Sequence, residues 1–296
     1  MAAQRKRPEF VSEVTCVNAM LLVTLLLLCA QALGKRHGVP TAADELSVLA
    51  RKYRTDKVWH NYTSLYHSLF GDMRLHVTRF LEVGVFYGAS LRMWHEYFPS
   101  AVVHGVDLFQ VLPGPSAMKF NPKSFWNKWH RGQLDKRFVL HKMNQSDVRQ
   151  MQNLTSHLLR DGPQFDIVVE DGSHRQRDQQ MNLALLLRIV RPGGYYIIED
   201  THSGLDPGYD ERPGSEDTTL RMLDSARQTG KYRSKFLTPA ESTFLETWIE
   251  QATVFVTRRN HDSTCVVRKR LRPRSSSGST STQRQYTIHR ETVHRY

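Results

Sequence analysis

An α/β fold, built on a mostly parallel sheet and finished by an antiparallel C-terminal hairpin, is predicted by three observations. Short apolar runs alternate with helical stretches between residues 79 and 198, which implies parallel strands joined by right-handed crossovers. Two later runs, 252–257 and 264–268, alternate on either side of a polar turn at 259–263, the pattern of a hairpin. Two acidic signatures, Glu170-Asp171-Gly-Ser-His174 and Glu199-Asp200-Thr-His202, each close an apolar run. Carboxylates and imidazoles therefore gather at neighbouring strand ends, where open α/β sheets bind their ligands.

The elements follow in chain order. Leu46, Leu49 and Ala50 fall on one side of a helix over 44–53 with Asp44 as its cap, and 62–70 is a second, aromatic-rich amphipathic piece over the sheet edge. Residues 79–85 form the first strand, ending at a glycine turn, and 89–98 the helix that Pro99 terminates. The second strand, 102–106, leads to Asp107. Between 110 and 136 lies an inserted loop with a short helix, anchored by Phe125, Trp126 and Trp129. Residues 138–141 and 147–159 supply the third strand and helix, 166–169 the fourth strand, and 179–190 the helix after it. Pro192-Gly-Gly194 then turns the chain into the fifth strand. Residues 201–216 read as a Gly-, Pro- and Asp-rich lid, and helices at 218–228 and 242–250 precede the hairpin.

The ends of the chain carry a different message. Arg5-Lys-Arg7, the uncharged run 17–32 and the small-x-small Ala30-Gln-Ala32 read as a cleaved signal peptide or a type II signal anchor over 1–32. A linker over 33–43, one catalytic-sized domain over 44–270 and a basic, disordered tail over 271–296 complete the organisation. This predicts the endoplasmic reticulum or Golgi lumen, or secretion, where sequons at Asn61, Asn144 and Asn153 are glycosylation candidates. Cys16 and Cys29 fall in the targeting segment, so Cys265 has no intrachain partner. The net charge of +12 is concentrated in the tail, where eight Lys or Arg face one Glu from Arg268 onward. No specific nucleic-acid partner is expected, and the tail or N-terminal anchor offers a membrane contact instead. Nothing in the residues specifies an oligomeric state.

The acidic signatures pose a charge problem. Three carboxylates at one rim repel unless protons or a cation compensate, which predicts a hard, oxygen-preferring ion such as Mg²⁺. Upstream, Glu82-Val-Gly84-Val-Phe-Tyr-Gly88 is a strand-to-helix turn without the third glycine of a dinucleotide fingerprint or a phosphate-gripping Lys-Ser/Thr. Gly84 lets a ligand approach the backbone, Glu82 suits an amino group, and Asp107 suits the paired hydroxyls of a ribose.

These residues resemble a known family. Tyr53-Arg-Thr-Asp-Lys57, Leu81-Glu-Val-Gly-Val85, Gly88-Ala-Ser-Leu91, Gly105-Val-Asp107, Asn144-Gln-Ser-Asp147, Glu170-Asp-Gly-Ser-His174 and Ile198-Glu-Asp200 are similar, in order, to the metal-dependent S-adenosylmethionine O-methyltransferases of the macrocin and mycinamicin type, which act on macrolide sugars. The resemblance implies a Rossmann-like class I methyltransferase sheet of seven strands. It implies that Asp171, Glu199 and Asp200 hold Mg²⁺, that His174 is the general base, and that Glu82, Gly84, Asp107 and Gln145 contact S-adenosylmethionine. Asp56 and Lys57 are placed over the cofactor, and His202 in the lid or a structural role. The acceptor implied is a sugar or glycoconjugate hydroxyl. A catechol or polyketide hydroxyl is the alternative within the same chemistry, and a catalytically silent glycan- or membrane-binding module is the alternative outside it.

Overall fold

Apolar runs specify the parallel half of the sheet. The computed structural model describes residues 42–110, 121–160, 162, 164–207, 209, 217–256, 262–274 and 288–290. In it β1 (Arg79–Val83), β2 (Val102–Asp107), β3 (Phe138–Lys142), β4 (Phe165–Glu170) and β5 (Val190–Ile198) pair in parallel in the order β3-β2-β1-β4-β5. β4 is buried along its whole length and β1 beyond Arg79, as central strands covered on both faces must be. β6 (Ile249–Val256) and β7 (Ser263–Lys269) form the hairpin, and β7 inserts between β5 and β6, antiparallel to both. The seven expected strands, the closing hairpin among them, are therefore present.

Strand alternation assigns side chains to two cores. Phe80, Val103, Leu140, Ile167 and Ile197 face α1 (Ala42–Tyr53), α2 (Tyr62–Phe70), α3 (Ala89–Tyr97) and α4 (Pro122–His130). Leu81, Val83, Val106, Val168 and Ile198 face α5 (Val148–Arg160), α6 (Gln176–Leu186), α7 (Thr219–Thr229) and α8 (Pro239–Trp248). In the inserted segment the Asn121 side chain accepts from Ser124 N at the start of α4, Phe125 is buried, and the Trp129 indole donates to Phe138 O at 2.9 Å. The aromatic residues are thus used as anchors.

Several boundaries differ from the sequence reading. α6 starts at Gln176 and stops at Leu186, whereas apolar periodicity placed it at 179–190. Its first turns bury Gln176, Asp178, Gln179, Gln180 and Asn182, a polar set that hydrophobic spacing does not register. Val190 already pairs with Phe165, and an irregularity in register before Ile167 takes up Pro192-Gly-Gly194. α8 begins earlier, at a capping box in which Thr238 and Glu241 exchange hydrogen bonds, and Glu250 belongs to β6. An eighth strand, β8 (Ile288–Arg290), runs parallel to β6 inside the stretch expected to be disordered; the outer edge of β6 is an open template for such pairing. The N-terminal targeting segment and linker up to Thr41, most of the expected lid, the hairpin turn at 257–261 and the rest of the tail lie outside the described residues.

Candidate active site

The crossovers bring β1, β4 and β5 to a common rim, and their ladders continue past the strand ends. Gly84 N donates to Val106 O, Asp171 N to Val83 O and Glu199 N to Glu170 O, each at 2.9 Å. Side chains at 82, 171 and 199 consequently converge on one point, and Lys57 occupies it. Its Nζ donates to Asp171 Oδ2 and Glu199 Oε1, both at 2.7 Å, and lies 3.2 Å from Glu82 Oε1. The Lys57 side chain is 1 % exposed. Burial opposes its charge, but Asp171, Glu199 and Glu82 more than offset that and hold the ammonium ionised. The in-chain cation was not foreseen from the carboxylates alone.

Outside this dry cluster is an open one. Asp171, His174 and Asp200 each offer a ligand atom within 4.8 Å of the others. His174 Nε2 is 3.7 Å from Asp200 Oδ2, and both side chains are 20 % exposed. The paired carboxylates of Asp171 and Asp200 offer the oxygen donors a hard divalent ion prefers, so they fit the Mg²⁺ that the acidic signatures called for, with the His174 imidazole beside them. Glu199, the third expected ligand, is 2 % exposed and turned toward Lys57, with the Tyr66 hydroxyl donating to it. Tyr62, one turn earlier on α2, donates to Asp200. His174 and Asp200 both have left-handed backbones, with φ of 56° and 53°, a conformation non-glycine residues adopt only where the surroundings impose it. The carbonyl of His174 is held by Ser203 Oγ at 2.7 Å and Gln176 Nε2 at 3.3 Å, and its Nδ1 is buried with no partner among the described residues.

The residues expected on the cofactor side have partners of their own. Glu82 is fully buried, accepts from Ser90 Oγ at 2.6 Å and Trp94 Nε1 at 3.4 Å, and is pushed up to about 6 by burial against the pull of Lys57. A Cβ on Gly84 would fall against the Asp171 carbonyl and 2.8 Å from Gly172 Cα, so this glycine is required by the β4 loop itself. Asp107 Oδ2 accepts from Val85 N at 2.8 Å and Phe86 N at 3.0 Å, and Oδ1 from Phe109 N at 2.6 Å. Asp107 thus ties the first strand-to-helix turn to the second strand end. Gln145 lies against Gly172 and donates to Glu170 Oε1 at 3.4 Å. Glu170 stays out of the open cluster: burial, then the Asp171 charge, pushes it up to about 8.

Tyr62, Tyr66, Ser203 and Gln176 are site residues that the sequence reading passed over. Lys57, Tyr62 and Tyr66 follow one another at spacings of five and four, but polar neighbours at His60, Asn61, Thr63 and Ser64 hide them in the sequence. Asp56, placed over the cofactor with Lys57, is exposed. His202 is structural: its Nδ1 accepts from Ser263 N at 3.2 Å and its Nε2 lies 3.6 Å from Asp262 Oδ1.

Residues 81–201 match the family model described as a methyltransferase domain. The chain is 33 % identical over 174 residues to the 8-demethyl-8-(2-methoxy-alpha-L-rhamnosyl)-tetracenomycin-C 3'-O-methyltransferase of Streptomyces olivaceus, covering 56 % of this chain and 39 % of that protein. It is 32 % identical over 200 residues to the mycinamicin VI 2''-O-methyltransferase of Micromonospora griseorubida, covering 64 % and 44 %. Among solved structures it is similar to the MycE methyltransferase of the mycinamycin biosynthetic pathway in complex with Mg, SAH and mycinamycin VI, with a TM-score of 0.57, 26 % identity, and coverage of 80 % of this chain and 57 % of that one. The chain thus spans less than half the length of these two curated relatives. They also correct the placement in the endoplasmic reticulum, Golgi or outside the cell. The relatives come from Streptomyces and Micromonospora, bacteria that have neither endoplasmic reticulum nor Golgi. Among the described residues, which do not include the expected targeting segment, no helix is long and apolar enough to cross a membrane. With the compartment goes the reason to expect glycans on Asn61, Asn144 and Asn153. Fold and sequence point the same way: residues 81–201 are similar to a methyltransferase domain, and these two relatives are O-methyltransferases, one of a rhamnosyl tetracenomycin and one of mycinamicin VI.

Proposed function

We propose that this protein is an S-adenosylmethionine- and Mg²⁺-dependent O-methyltransferase acting on a hydroxyl of a sugar or glycoconjugate. The observation that carries the reading is the meeting of Asp171, His174 and Asp200 where β4 and β5 end. When bound, S-adenosylmethionine supplies an electrophilic methyl group and Mg²⁺ supplies the Lewis acidity that lowers the pKa of a vicinal hydroxyl. Asp171 and Asp200 are the residues assigned to the ion, with Glu199 as the third carboxylate of the same rim. His174 is the base: its Nε2, on the Asp200 side of the cluster, accepts the hydroxyl proton. Gln176 and Ser203 hold its backbone in the strained conformation that aims the ring. The cofactor is assigned to the β1–β2 side, beside Gly84, Asp107 and Gln145, with Glu82 behind Lys57.

The test is direct. The full chain, given methyl-labelled S-adenosylmethionine and a panel of glycosides, methylates a sugar, loses the activity with EDTA and regains it with Mg²⁺. Metal-independent turnover would sink the chelation mechanism. His174→Gln lowers turnover by about 10²- to 10⁴-fold while cofactor affinity by calorimetry stays within about threefold.

A further inference from the structure

We propose that Lys57 is the internal counter-cation of this site, a positioning residue that holds two of the carboxylates assigned to the metal and thereby sets how tightly the divalent ion binds. The inference rests on the metal-dependent reading above. Lys57 is drawn in from a short 3-10 turn (Asp56–Val58), ahead of the methyltransferase-domain match, and its ammonium is shared by three strand ends. A buried ammonium persists only among such partners, and it offsets part of the repulsion among them. The same contacts place a positive charge 2.7 Å from an oxygen of Asp171 and of Glu199. Those oxygens are what an incoming ion needs. Tyr62 and Tyr66 also donate to Asp200 and Glu199 but carry no charge, so they orient the carboxylates without competing for them. Lys57 therefore keeps the carboxylates assembled and lowers their affinity for the ion.

Mn²⁺ binding to the full chain, followed by electron paramagnetic resonance, with thermal unfolding in parallel, tests this. Lys57→Met keeps the apolar stem and removes the charge. Its Mn²⁺ affinity is expected to rise at least about tenfold, and its melting temperature to fall without Mn²⁺ and recover with it. Glu82→Gln relieves Lys57 of one partner and leaves it more firmly on Asp171 and Glu199, so Mn²⁺ affinity is expected to fall severalfold. Opposite signs in the two variants are not produced by a general loosening of the fold. Unchanged or weaker Mn²⁺ binding by Lys57→Met overturns the proposal. If that variant does not fold, unchanged or tighter binding by Glu82→Gln overturns it. A wild-type protein that binds neither S-adenosylmethionine nor Mn²⁺ removes the methyltransferase reading as well, whereas binding of both with no difference among variants removes only the role of Lys57.

Discussion

Glu199 and Asp200 are neighbours in sequence and strangers in environment. Glu199 is 2 % exposed and faces Lys57 and Tyr66, while Asp200 is 20 % exposed and faces His174 and Tyr62. One strand end thus feeds a dry, charge-compensated cluster and an open, donor-rich one, with Asp171 belonging to both. On the function proposed above, the dry cluster steadies the carboxylates and the open one carries the reaction, although the same residue type serves in each. The physical reason is the left-handed backbone of Asp200, which turns its side chain away from the direction that β5 gives Glu199.

Removing the shared residue gives the largest expected effect. Asp171→Ala abolishes turnover by about 10³-fold or more, as loss of a preorganised charge at a reacting centre does, yet leaves S-adenosylmethionine affinity within a few-fold by calorimetry. Equal losses in both would mean that the two clusters are one. Next in size is the contrast between the neighbours. Glu199→Gln leaves Lys57 short of one buried partner and lowers unfolding free energy in urea by roughly 3 kcal/mol, whereas Asp200→Asn costs under about 1 kcal/mol. Equal costs would erase the distinction between dry and open. The smallest effect separates the site from the rest of the core. His104 Nδ1 lies 3.1 Å from His141 Nε2 beneath α5, and burial, with the neighbouring imidazoles and Arg79, lowers the two to about 3 and about 4. Unfolded imidazoles titrate near 6.5, so between there and about 4 the unfolded chain binds more protons and stability falls as pH falls. Roughly 2 kcal/mol per imidazole is lost by pH 5, a slope that urea titrations of His104→Phe would show reduced.

The sheet was legible because its strands are continuous apolar runs closed by glycine or acid, and the hairpin because it alternates. The gathering of Asp171, His174 and Asp200 was legible for the same reason: a strand end fixes where the following residue sits. Lys57 was not, since a lysine in Thr-Asp-Lys looks like a solvated helix end until a partner 142 residues away is known. Glu82 and Asp107 were legible as strand-end acids, but their hydrogen bonds to Ser90 and Trp94, and to Val85, Phe86 and Phe109, depend on the turns between strands. The polar first half of α6 was missed because the hydrogen bonds of its buried side chains, among them Asp178 with Ser146 at 2.5 Å and Ser173 at 2.8 Å, leave no mark in hydrophobic spacing.

The pairing of Lys57 with Glu199 also sets a schedule. Closing so long a loop costs chain entropy before any contact repays it, and contacts of high sequence separation form late. During synthesis Lys57 emerges well before the strand that carries its last carboxylate, and until β5 docks against β4 its ammonium has no reason to leave water. On the metal-dependent reading, binding competence therefore arrives at the end of folding, as a consequence of it, and a half-folded chain has no assembled carboxylate cluster to offer an ion.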